Sequence, residues 1–305
     1  MTPAKAAREP RVDVEIPLPG DFDVEWTLRF LGARHAPSLE AVSGTEYTRS
    51  VAVDGKPMTM ALRFASRPLG GWRLFVRSAP DVPPATLVSL VTAMFDLDAD
   101  LVAFRRRIRR DRVLGPLVAR RPGIRLPRFL DPFEGAARAV LGQQVSVAAA
   151  RRIVDRLVES VGRRAPDLEG RSFRVFPSPW LVLAAGAEKL GQAGLTRAKQ
   201  RALLSIAGEM RSGTLDWKTL RQGPSAAAQA RLEQIPGVGP WTAAYLRMRV
   251  LGDRDAFPAT DLGVVKALVA LNGNRPLTTD AILAASEGWR PWRAYATLHL
   301  WQSLA

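Results

Sequence analysis

No cysteine occurs in this chain, and that one absence removes disulfides, thiolate metal sites, iron–sulfur clusters and cysteine nucleophiles together. Histidine is nearly as scarce. His35 and His299 are too few for an imidazole-built zinc centre. No uninterrupted apolar run approaches the ~18 residues that a membrane-spanning helix needs. The opening residues MTPAKAAREPRVDVE carry charge without an apolar stretch, so no secretory signal is expected and a cytoplasmic location is. No period suggests a solenoid.

Acid is short as well. Lys and Arg total 44 against 29 Asp and Glu, a net charge of +15. An excess of that size favours a polyanionic partner through counterion release. It is sharpest between Arg105 and Arg128, where ten arginines face the single acid Asp111. That run reads equally as a phosphate-contacting region or as a solvated face.

Two kinds of patterning divide the 305 residues. Residues 1–14 read as a disordered basic leader, and 22–35 carry apolar side chains at helical spacing. Alternating runs follow at Tyr47–Val53, Met58–Phe64 and Trp72–Val76, the first two joined by an Asp54-Gly55 hairpin turn. Pro84 then opens a helix. Residues 1–98 are therefore expected to form a small α/β domain, a sheet with helices on one face. After Asp100 the strand signal nearly vanishes. Helical patterns broken by Gly/Pro loops, among them Leu101–Leu117, Pro132–Val161, Trp241–Leu251 and Asp261–Leu271, predict an all-α domain over 99–305. The chain is thus α+β, and is expected to act as a monomer.

Within the helical part, LEQIPGVGPWTAAYLRMRVLGDRDAFPATDLGVVKAL carries the chemistry. Pro236, Gly237, Val238, Gly239 and Pro240 form a glycine-punctuated hairpin between two apolar segments (232–245), with Thr242 just inside the second helix. Glycine permits positive φ and close approach of a ligand to the backbone. Amides at the following helix N-terminus suit a phosphate and hold DNA without reading its sequence. By itself the segment reads equally as an ordinary interhelical turn. A lone carboxylate, Asp261, follows in a loop and helix over 256–271, where it is also a natural helix N-cap.

This block resembles the helix-hairpin-helix DNA glycosylases. IPGVGPWTA matches their hairpin and FPATDLGVVKAL their loop and aspartate-bearing helix, with Pro258 lying 17 positions after Trp241. The resemblance makes Asp261 the essential acid. Members that also cleave the strand carry a lysine directly after the hairpin. Here that position is Trp241, which implies a monofunctional, water-using enzyme. The resemblance extends to the 3-methyladenine glycosylase II (AlkA) group through DFDVEWTLRFLGARH, DPFEGAARAVLGQQVSVAAA and WRPWRAYATLHLW. It implies a TATA-binding-protein-like α/β domain ahead of a helical glycosylase core. It also implies a base pocket of Phe30, Trp241, Tyr245 and Trp301, although the spacing of Trp241 and Tyr245 alone reads as core packing. The DNA-inserting wedge falls on Gln144, where the group's prototype has leucine.

The implied substrate is double-stranded DNA with an alkylated purine, 3-methyladenine or 7-methylguanine, flipped from the helix. No cofactor is implied beyond a structural Na+ or K+ on the hairpin backbone near Ile235 and Val238. Two alternatives stay open: a catalytically silent DNA-binding protein using the same hairpin, and a bifunctional glycosylase/lyase for oxidised bases.

Overall fold

The computed structural model describes residues 14–68 and 70–305, so residues 1–13 of the expected basic leader lie outside the described residues. Five strands build one antiparallel sheet in the order β1-β5-β4-β3-β2. They are β1 (Val14–Ile16), β2 (Glu40–Ser43), β3 (Glu46–Val53), β4 (Lys56–Ser66) and β5 (Trp72–Ala79). The alternating runs become β3, β4 and β5. The short β1 and β2 carried no alternation long enough to read. Val53 pairs with Lys56 across Asp54 and Gly55, both at positive φ, which is the two-residue primed turn that the Asp-Gly pair favours.

Helices α1 (Val24–Arg34) and α2 (Pro84–Phe95) cover one face of the sheet. There Leu28, Leu87, Val91 and Phe95 pack on Tyr47, Met60, Leu62, Phe64 and Val76. The opposite face is covered by an irregular segment holding two short paired strands, β6 (Arg163–Arg164) and β7 (Arg174–Val175). Thr59 and Ser50 donate hydroxyl hydrogen bonds to its Pro166 and Arg174 carbonyls.

The helical part continues with α3 (Leu101–Ile108), α4 (Leu114–Arg120), α5 (Pro132–Leu141), α6 (Val147–Val161), α7 (Pro179–Gln192) and α8 (Arg197–Ser212). It ends with α9 (Trp217–Gln222), α10 (Ser225–Glu233), α11 (Pro240–Leu246), α12 (Leu262–Leu271), α13 (Thr279–Ser286) and α14 (Arg293–Gln302). Two segments expected as single helices are broken. Asp111 accepts from the Val113 and Leu114 amides and starts α4 afresh. Ser146 caps α6 after Gln144 takes a left-handed conformation. Helix α11 runs on into a π-helical turn, Arg247–Leu251.

The sheet and the helices are tied by a buried ionic cluster. Arg49 on β3 pairs with Glu134 on α5 at 2.6 Å, and Arg138 bridges Glu134 and Glu40. Tyr47 donates its hydroxyl to Glu40. Removing one member of such a cluster costs ~3–5 kcal/mol, because it strands a buried charge.

A second core, formed by α3, α4, α12 and α14, encloses His299. Burial pushes His299 down to about 3, and neither ring nitrogen has a partner among the described residues. The folded state therefore holds the imidazole neutral while the unfolded chain protonates it below its ordinary value of 6.5. Stability from this site is present above pH 6.5 and declines as the pH falls towards 3. Urea unfolding across that window should show the decline, and His299→Leu should flatten it.

Candidate active site

Asp261 terminates a loop and caps α12. Its Oδ1 accepts from the Gly263 amide at 2.9 Å and the Val264 amide at 3.1 Å. The same oxygen accepts from the Trp301 indole at 2.7 Å, while Oδ2 accepts from the Trp241 indole at 2.9 Å. Capping and presentation are thus done by one side chain. A carboxylate offers about four lone-pair sites. Oδ1 takes three donors and Oδ2 one, so the remaining acceptor capacity lies on Oδ2.

The rings form a continuous stack. Trp241 and Tyr245, one helical turn apart on α11, lie 5.5 Å apart between centroids. Tyr245 meets Trp301 at 6.4 Å, Trp301 meets Phe30 at 6.4 Å, and Phe30 meets Trp26 at 5.0 Å. These are direct-contact distances. Residues from α1, α11 and α14 therefore converge on the acid of α12. Trp241, Tyr245 and Trp301 are partly exposed, whereas Phe30 is buried.

Two cations lie against Phe30. The Arg34 guanidinium sits 3.8 Å from its centroid and the Arg249 guanidinium 5.1 Å. Arg249 also lies over Phe129 at 4.7 Å and donates to the Tyr245 hydroxyl at 3.1 Å. Burial pulls Arg34 down to about 10, which leaves it charged at neutral pH. Sequence reading passed over both arginines, because their role is set by packing between helices distant in the chain.

The two hairpin glycines divide their work. Gly237 has φ +84°, and a Cβ there would lie 2.5 Å from the Ala202 Cβ of α8. Gly239 has φ −90°, and a Cβ there would meet nothing within 4 Å. Ile235, Val238 and Thr242 turn inward, while Pro236, Gly237, Gly239 and Pro240 are exposed. Gln144 is exposed at positive φ on the α5–α6 loop. Its neighbour Gln143 donates to the Gly237 carbonyl and the Thr242 hydroxyl, both at 2.9 Å, so that loop is fastened to the hairpin. The lysines are elsewhere. Lys199 donates to the Leu141 carbonyl at 2.8 Å in the core, and Lys266 is exposed on α12. Among the described residues no group of three or more His, Asp or Glu could hold a metal ion.

Residues 137–291 match the family model described as HhH-GPD superfamily base excision DNA repair protein, and 14–131 match the AlkA N-terminal domain. The chain belongs to the HhH-GPD superfamily. Within it, DNA-3-methyladenine glycosylase 2 of Escherichia coli is 32% identical over 92% of this chain and 93% of its own length. A Mycobacterium tuberculosis relative is named "Probable bifunctional transcriptional activator/DNA repair enzyme AlkA". It is 34% identical over 96% of this chain, which spans only 57% of that relative's length. The solved structure of a 3-methyladenine DNA-glycosylase from Archaeoglobus fulgidus shares the fold, with a TM-score of 0.81 and 23% identity over 94% of this chain and 96% of that one.

Gly263 is a residue of this HhH-GPD site that sequence reading missed. A Cβ there would stand 2.8 Å from Trp301 Cδ1 and 3.1 Å from Asp261 Oδ1. The available signal was a glycine in the first turn of an otherwise apolar helix, where it costs ~1 kcal/mol relative to alanine. Gly263→Ala should push Trp301 off Asp261. The expected result is a shifted tryptophan emission and a net loss of ~0.5–2 kcal/mol in urea unfolding, the ~1.5–3 kcal/mol of a hydrogen bond to a charged group less the ~1 kcal/mol that alanine returns as helix propensity.

Proposed function

We propose that this protein is a monofunctional DNA glycosylase. It hydrolyses the N-glycosidic bond of alkylated purines, of the 3-methyladenine and 7-methylguanine type, flipped out of duplex DNA, and so initiates base excision repair. The observation that carries the proposal is Asp261 held between two pocket indoles, with tryptophan at the position after the hairpin. The names of the E. coli and A. fulgidus relatives support the same substrate class.

In this reading Asp261 is the catalytic residue. As the base departs, C1′ of the sugar takes on oxocarbenium character, which a nearby carboxylate stabilises electrostatically. Oδ2 keeps the acceptor capacity needed to orient or deprotonate water. Trp241, Tyr245 and Trp301 offer π-faces to the flipped base, each cation–π contact with a methylated purine being worth ~0.5–2 kcal/mol. The buried Phe30 backs that wall. Gln144, exposed beside the hairpin, fills the space the base leaves.

The duplex is held at the hairpin, where the open space above Gly239 admits a phosphate. A monovalent cation on the Ile235 and Val238 carbonyls belongs to the same proposal and serves structure alone; the chemistry itself asks for no cofactor. The functional division near residue 98 is supported by packing, since α3 and α4 share their core with α14 and not with the sheet.

Asp261→Asn should lower single-turnover release of 3-methyladenine at least ~100-fold, the scale of losing one preorganised electrostatic group, while leaving duplex affinity within a few-fold. Borohydride should trap no covalent adduct. Full release by the variant, or none by the wild type, overturns the proposal. The glycines give a second test. Gly239→Ala should keep wild-type thermal stability yet weaken duplex binding about tenfold, one lost phosphate contact of ~1.4 kcal/mol. Gly237→Ala should lower stability as well, because its Cβ strikes Ala202.

A further inference from the structure

The arginine run is resolved by the fold into two groups. One group is bound within the fold. Arg105 pairs with Asp21, Arg121 binds Asp23 and Glu25, Arg125 donates to three backbone carbonyls, and Arg128 donates to the Leu251 carbonyl. Arg107 reaches the Arg290 carbonyl. The other group, Arg106, Arg109, Arg110, Arg112 and Arg120, is exposed and has no partner among the described residues. The acids within reach of the run are already committed. Asp98 pairs with Arg254, Asp100 caps α3, and Asp111 accepts two amides and the Trp289 indole.

Arg106 lies in the last turn of α3 and Arg109 and Arg110 in the turn that follows it, so three unpaired cations stand within five residues. Elsewhere Arg49, Arg138, Arg247 and Arg293 are bound to carboxylates, and exposed arginines without a partner among the described residues, such as Arg152, Arg197 and Arg201, are less densely grouped. Five exposed, unopposed guanidiniums carried by α3, α4 and the turn between them, termed the α3–α4 ridge, suit an extended anion. Their planar forks suit phosphate oxygens.

The position of the ridge separates it from the pocket. Phe104 of α3 packs on Trp292, Tyr295 and His299, so α3 begins beside α14, whereas the Arg107 and Asp111 contacts lie just before α14 begins. Trp301 lies at the other end of α14, roughly 12–15 Å along the helix axis.

We propose that the α3–α4 ridge is a second duplex-DNA surface, binding backbone phosphates away from the flipped nucleotide and without regard to sequence. The inference rests on the duplex-binding part of the function proposed above. Phosphate contacts of this kind position a protein and set its salt dependence.

The test replaces Arg106, Arg109, Arg110, Arg112 and Arg120 by serine together, and by lysine together as the charge-preserving control. Affinity for a lesion-free duplex of about 30 base pairs is measured against salt, since each phosphate contact contributes ~0.9 to the slope. The serine variant should lose roughly three or more units of slope, and the lysine variant should retain most of it. Single-turnover release of 3-methyladenine at saturating enzyme should be unchanged in both. An unchanged slope in the serine variant, or an equal loss in the lysine variant, overturns the proposal. Slope and release fail independently. A wild type that releases no base but shows the slope change defeats the glycosylase reading and leaves the ridge standing.

Discussion

Four N–H groups meet on one carboxylate, and the arrangement of the helices follows from that meeting. Asp261 gathers two amides of its own helix and the indoles of Trp241 and Trp301, which arrive from α11 and α14. None of these helices is adjacent in sequence to both of the others. Hydrogen bonds to a charged acceptor are shorter and stronger than neutral ones, so this junction fixes ring positions as firmly as it fixes the acid. The aromatic stack then needs no further adjustment. Tyr245 is carried one turn beyond Trp241, and Phe30 is reached through Trp301.

The hairpin and the acid were legible because both are local. A Gly-x-Gly turn between apolar segments and an aspartate before an apolar helix declare themselves without the rest of the fold. The likeness of the flanking segments to a known family supplied Phe30 and Trp301. Gly263, Gln143, Arg34 and Arg249 were not legible, since each acts on a partner that only the fold brings near. Gly263 makes room for a ring 38 positions away, and Gln143 reaches a carbonyl 94 positions away. The same reason hid the cover over the second face of the sheet. Strands of two residues have no periodicity to read, and their pairing is decided by β3 and its neighbours. The helix breaks at 109–113 and 142–146 were obscured because apolar spacing continues across them; their capping residues, Asp111 and Ser146, were the available signal.

The two arginines against Phe30 change what the pocket is electrically. Arg34 and Arg249 place two guanidiniums behind the ring stack, and no carboxylate pairs with Arg249 among the described residues. Asp261 supplies negative charge at the indole edges of Trp241 and Trp301. The site therefore carries both signs, guanidiniums at Phe30 and a carboxylate at the indole edges. In the glycosylase reading proposed above, a base that departs with the glycosidic electron pair gains electrons near the guanidiniums and leaves the deficit beside the carboxylate. On that reading the resident cations weaken the attraction of the rings for a charged base before cleavage, and they favour the electron pair that the base carries away.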